Sequence, residues 1–180
     1  MEHKTTLAEK STTYVFGYGS LMNLHSLWRT LPNKQHVHVA TLSGFRRKVN
    51  APVGDYLYLN LVECHESKTN GVLIEVTDAE LALLDAREIG YNHVDVTERV
   101  SILVDAADDT PTDLADVRIF AFIAPDQHHP DKHILRSYLH TCIQGVPDEH
   151  RDQWLLDTEI CNTVLDDLAN SHHFAPSAEV

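Results

Sequence analysis

From Thr12 to Ala124 one strand-like run follows another with little more than a turn between most of them, and this spacing narrows the choice of fold more than any other feature. Residues 12–16 are β-branched and aromatic, and residues 36–42 alternate as a half-buried strand does. Tyr56, Leu57, Tyr58, Leu59 and Leu61 mark a third strand over 55–62, with Ser43, Gly44, Phe45, Arg46 and Arg47 turning the chain before it. A polar excursion over 63–69 ends at Asn70-Gly71, a dipeptide favoured in tight hairpins, which leads into a strand over 72–76. Further strands are expected over 93–104 and 117–124, separated by an acidic, solvated loop over 105–116. Helical patterns are confined to 23–31, 77–88, 132–144 (with Pro130-Asp131 before it as a start) and 150–169. A doubly wound parallel sheet needs helices alternating with its strands, so the pattern calls for a largely antiparallel α+β sheet or small barrel.

The 180 residues are enough for one domain with a sizeable core, expected over 12–170, with mobile tails at 1–11 and 171–180. No apolar run is long enough to span a bilayer, and Met1-Glu2-His3-Lys4 opens no signal-peptide pattern. The expected location is therefore the cytoplasm, with no membrane partner. A net charge of -13 opposes nucleic-acid binding but leaves an anionic small molecule open, since that responds to the field of one pocket. Cys64, Cys142 and Cys161 are an odd number at wide spacings and read as reduced, buried thiols.

Two stretches carry chemistry. The first is Phe16-Gly17-Tyr18-Gly19-Ser20-Leu21-Met22, a tight turn leaving a strand. Asn23 is placed to cap a helix whose apolar positions are Leu24, Leu27, Trp28 and Leu31. Unpaired N–H groups at such a turn, together with the helix dipole, would seat a small anion. Met22 stands where a dinucleotide fingerprint needs its third glycine. Tyr18 and Met22 flank Ser20, where a hydrolase elbow places glycines in the pattern Gly-x-Ser-x-Gly. The second stretch is Leu84-Asp85-Ala86-Arg87-Glu88-Ile89-Gly90-Tyr91. Thr77 and Glu80 form a capping box at the start of its helix, and Gly90 supplies the stop. Leu81, Leu84 and Glu88 fall on one face, which puts a carboxylate on the stripe aimed at the core. Buried there, Glu88 would have its pKa raised toward the range useful for proton transfer. The alternative is a Glu88 that frays into solvent beside Arg87.

Together the two stretches resemble the γ-glutamylcyclotransferase superfamily (γ-glutamylcyclotransferase-like, ChaC-like, AIG2-like), and the likeness extends through Gly44-Phe45-Arg46-Arg47, Asn70-Gly71 and Arg136-Ser137-Tyr138-Leu139. The resemblance implies a small mixed, mostly antiparallel β-barrel with surrounding helices. It also implies an enzyme that needs no cofactor or metal and closes a γ-glutamyl compound into 5-oxoproline, releasing the amine. Glu88 would be the acid–base residue, Gly19, Ser20 and Leu21 the backbone anchor, and Tyr18, Tyr91 and Tyr138 further contacts to the small-molecule substrate. The motif around Glu88 and the Gly-Phe-Arg-Arg run lean toward the ChaC-type enzymes that act on glutathione. Residues 50–55 depart from that subgroup's Asp-His-Arg-Gly, so γ-glutamyl amino acids and γ-glutamylamines stay open as substrates.

Other features fit blander readings. The chain has 13 histidines, but His36, His38, His128, His129, His172 and His173 match no ligand pattern. Trp154, Leu155, Leu165 and Leu168 read as a helix face, and the C-terminal helices could pair two copies into a homodimer. A non-catalytic protein that binds a γ-glutamyl metabolite on the same fold is the rival function, because fold alone does not fix chemistry.

Overall fold

The computed structural model describes residues 11–103 and 116–167. The tails and all but the last residue of the expected acidic loop lie outside these, apart from Ser11. In chain order the elements are β1 (Thr12–Gly17), a 3-10 turn (Ser20–Met22), α1 (Leu24–Leu27), β2 (His38–Val53), β3 (Tyr56–Val76) and α2 (Asp78–Arg87). There follow β4 (Asn92–Asp95), a 3-10 turn (Thr97–Arg99), β5 (Val100–Ile102), β6 (Val117–Ile123), β7 (Ile134–Leu135) and α3 (Arg136–Gln144). A last 3-10 turn (Asp148–His150), α4 (Arg151–Leu156), β8 (Thr158–Glu159) and β9 (Val164–Leu165) complete the described chain.

Seven strands form one mixed, mostly antiparallel sheet that curls into a half-barrel, in the order β4-β6-β1-β3-β2-β5 with β8 paired to β2. The β1–β6 and β2–β8 pairs are parallel and the others antiparallel. β1 sits centrally and buries both faces, which explains its unbroken run of Tyr14, Val15 and Phe16. Its side chains join Leu42, Leu57, Leu61, Ile74, Leu84 and Ile119 in the core.

The long β2–β3 ribbon replaces two expected turns. Residues 43–47 do not turn the chain but lie inside β2, where the register shifts between Ser43 and Phe45. Gly44, at φ 81, sits in that bulge, and such bulges bend a strand and tighten its twist. The reversal comes at Gly54-Asp55, and the polar residues 63–69 are the other side of the bulge. Asn70-Gly71 is likewise mid-strand. Its glycine answers a steric need, since a Cβ at Gly71 would lie 2.5 Å from the Gly17 carbonyl oxygen and from Phe16 Cζ.

Several expected elements are shorter. The first helix is four residues long, with Asn23 Oδ1 accepting from the Ser26 N–H at 3.2 Å. The strand expected over 93–104 is split by a 3-10 turn into β4 and β5. The third helix starts at Arg136, not near Pro130-Asp131, because Ile134 and Leu135 pair with β9. Asp167 then accepts the Ser137 N–H (2.8 Å) and hydroxyl at the mouth of α3. The final helix stops at Leu156 and is followed by β8 and β9, so Trp154, Leu155 and Leu165 do not share a helix face. Trp154 is buried while Leu155 is exposed, and Leu168 lies outside the described residues. The cysteines differ too: only Cys142 is buried, and Cys161 is exposed. Among the described residues no helix is long and apolar enough to cross a membrane.

Candidate active site

The turn after β1 is held from three sides. From β3, Gly71 lets the strand backbone press against Gly17. From α3, Gly145 packs so close that a Cβ would lie 2.3 Å from the Asn23 nitrogen, while Asn23 Nδ2 donates to the Thr141 carbonyl at 2.9 Å. From behind, the fully buried Arg47 donates through Nε to the Tyr18 carbonyl at 2.9 Å. Its Nη2 donates to Asn70 O (2.5 Å) and Oδ1 (2.9 Å), and its Nη1 to Trp154 O (3.3 Å) and Thr158 Oγ1 (3.1 Å). All five guanidinium N–H groups are thus satisfied without a paired carboxylate, and the guanidinium carbon lies over the Trp154 ring, 4.7 Å from its centroid. Desolvation lowers the Arg47 pKa to about 10, which leaves it charged at neutral pH.

Held this way, the turn faces a hollow lined by Phe16, Tyr18, Gly19, Ser20, Leu21, Leu59, Glu88, Phe122 and Tyr138, with about 310 Å³ of free space counted out to its open mouth. Gly19 leads into a three-residue 3-10 turn, not the start of a long helix, so little macrodipole is available. The Ser20 and Leu21 N–H groups, first in that turn, find no acceptor among the described residues. Those free donors, more than any dipole, equip the turn to hold an anion.

Glu88 lines the same hollow. The capping box of Thr77 and Glu80 starts α2, and Glu88 closes it at φ -89 and ψ 58, leaving the helical path before Gly90 at φ 87. Leu84, one turn earlier, is fully buried and anchors this end. Neither sequence alternative for Glu88 is complete. Its carboxylate pairs with Arg87 (Nε to Oε1, 3.2 Å), yet both side chains are mostly enclosed, 19% exposed for Arg87 and 18% for Glu88. Burial raises the Glu88 pKa, and the Arg87 charge opposes that rise.

The tyrosines divide. Tyr18 lines the hollow but turns its hydroxyl away, donating to the Phe122 carbonyl at 2.5 Å. Tyr138 lines the hollow with its hydroxyl oxygen 3.4 Å from where a Gly19 Cβ would stand, and that oxygen accepts the Leu59 N–H at 3.1 Å. Tyr91 is not on the wall; its hydroxyl donates to the Leu59 carbonyl at 2.7 Å and braces β3 from behind. Burial pushes all three phenols well above their usual pKa, so each is neutral at pH 7. Cys142 lies one helical turn after Tyr138, and burial pushes its thiol up to about 12, which denies it nucleophilic character. Phe16, Leu59, Phe122, Arg47 and Arg87 were not among the expected site residues. Arg87 lies inside the motif that drew attention to Glu88, so a signal for it was present.

Residues 15–139 match the family described as "Gamma-glutamyl cyclotransferase, AIG2-like". The chain belongs to this family. No curated protein sequence matches it. Among solved structures, one named "Gamma-glutamyl cyclotransferase" aligns with a TM-score of 0.61 at 14% identity, covering 83% of this chain and 89% of its own. The human uncharacterized protein loc79017 gives a TM-score of 0.59 at 15% identity, covering 84% of this chain and 90% of that one. YkqA from Bacillus subtilis gives 0.55 at 18% identity, covering 81% of this chain but 53% of that longer one. At these identities the structural likeness establishes the shared fold alone.

Proposed function

We propose that the protein converts a γ-glutamyl compound (glutathione, a γ-glutamyl amino acid or a γ-glutamylamine) to 5-oxoproline and a free amine or peptide. The observation that supports this most is that an enclosed carboxylate, Glu88, shares one hollow with the free N–H groups of Ser20 and Leu21. In this reading the glutamyl unit folds so that its α-nitrogen reaches its own γ-carbonyl, and holding that conformer supplies much of the rate. Glu88 takes a proton from the α-ammonium, and the freed lone pair attacks the γ-carbon. The new C–N bond closes a five-membered ring and places negative charge on the carbonyl oxygen. Glu88, now protonated, gives its proton to the leaving nitrogen as the old C–N bond breaks. The restored carboxylate takes the surplus proton of the ring nitrogen and passes it to the released amine, leaving a neutral lactam and an ammonium group. The free amides of the turn hold either the α-carboxylate or that oxygen.

No Ser or Cys nucleophile enters, since the attacking nitrogen belongs to the substrate. The test is incubation with glutathione, γ-glutamyl amino acids and γ-glutamylamines while 5-oxoproline is monitored by mass spectrometry. Release from at least one compound is expected, and none from its N-acetylated form, whose nitrogen cannot attack. Free amine appearing equally fast from the acetylated form would rule out ring closure as the route.

A further inference from the structure

Arg87 has no step in the cyclisation, yet its side chain contacts both Ser20 and Glu88, which line the hollow. Nη1 donates to Ser26 O (2.8 Å) and Thr30 Oγ1 (3.2 Å), and Nη2 to Ser20 Oγ (3.1 Å) and Ser26 Oγ (2.9 Å). Nε lies 3.2 Å from Glu88 Oε1 as an ion pair, so every nitrogen of the guanidinium has a partner. A guanidinium has donors and no acceptor, so the Ser20 oxygen must accept from it. The Ser20 proton is thereby released to donate elsewhere, and Ser20 lines the hollow. Oε1 of Glu88 is ion-paired with Arg87, while Oε2 has no partner among the described residues.

We propose that Arg87 is the positioning residue of this site, fixing Ser20 as a hydrogen-bond donor to the substrate and fixing Glu88 with one free oxygen for the α-amino group. This rests on the cyclisation reading. Around Glu88 stand Tyr18 from the turn after β1, Tyr91 following α2, and Tyr138 and Cys142 from α3, all neutral at pH 7. Among the described residues Arg87 is the formal charge that acts on the carboxylate, opposing the effect of burial. Its removal moves Glu88 protonation to higher pH.

Two full-chain variants separate geometry from charge. Arg87→Met is expected to lower kcat by roughly 100-fold, the scale of a small misplacement of reacting groups, and to move the acid limb of kcat/KM to higher pH. Arg87→Lys keeps the charge, so its limb stays near that of the parent. An ammonium has three donors on a flexible stem and cannot span five acceptors, so kcat is not restored. An Arg87→Met kcat within ~3-fold of the parent, or an unmoved limb, overturns the proposal. So does an Arg87→Lys kcat within ~3-fold of the parent, which also decides the matter if the Met variant fails to fold.

A substrate-free arm follows the Glu88 carboxyl by carbon NMR in glutamate-labelled protein, with the signal assigned by its loss in Glu88→Gln. A higher titration midpoint in Arg87→Met supports the coupling, and an unchanged midpoint overturns it. If the parent turns over no γ-glutamyl compound while that midpoint still moves, the cyclisation reading fails and the Arg87–Glu88 coupling stands.

Discussion

Replacing Arg47 with Met removes five hydrogen bonds and a cation over the Trp154 ring from the core while keeping most of the side-chain volume. Not all five losses count equally. Thr158 Oγ1 also donates to the Trp154 carbonyl at 2.5 Å, so those two groups remain partnered. Tyr18 O, Asn70 O and Asn70 Oδ1 lose the guanidinium donor inside the core. At ~1 kcal/mol for each, the low end for a buried unsatisfied group, the loss is about 3 kcal/mol. The low end is appropriate because Met also relieves the desolvation of a buried charge. For a domain of this size that corresponds to a fall in Tm of about 6–12 °C. Urea unfolding followed by circular dichroism should show a lower midpoint with an unchanged slope. A loss under ~1 kcal/mol would mean that desolvation nearly cancels the bonds, and Arg47 would not be what holds the turn.

Gly71→Ala places a methyl 2.5 Å from the Gly17 carbonyl oxygen and from Phe16 Cζ, so β1 must move; the expected cost is ~1–3 kcal/mol by chemical denaturation, and a neutral result would contradict the close approach. Glu88→Gln should stabilise the protein at neutral pH. The folded pKa of Glu88 lies above the unfolded one, so its ionisation weakens the native state as pH rises through the folded value. The advantage should fade below the ordinary glutamate range, and a variant less stable than the parent at neutral pH would contradict this sign. Iodoacetamide at mildly alkaline pH should label exposed Cys161 well before buried Cys142, as peptide mass spectrometry would report; early labelling of Cys142 would contradict its raised pKa.

Features written in local chemistry are legible from the residues alone. The capping box at Thr77 and Glu80, the Asn23 cap, the Gly90 stop and the strand entering the first glycine turn each depend on neighbours a few residues away. Asn70-Gly71 misleads because its glycine answers to β1, more than fifty residues distant, and not to a hairpin. Arg47 is invisible for a similar reason: a cation reads as surface, and only the folded chain shows carbonyls from β3, α4 and the glycine turn converging on it. Of the expected site residues, Tyr18, Gly19, Ser20, Leu21, Tyr138 and Glu88 meet at one hollow, and Tyr91 stands behind its wall. Tyrosine spacing carries no information about which way a hydroxyl points, so that division required the packed sheet.

The most direct test is 5-oxoproline release by the parent and by Glu88→Gln, alongside calorimetric binding of the same γ-glutamyl compound. Turnover is expected to fall at least ~100-fold, the low end for loss of a general acid–base group, while Kd stays comparable. Equal rates in the two proteins would remove Glu88 from the chemistry and leave the hollow as a binding site.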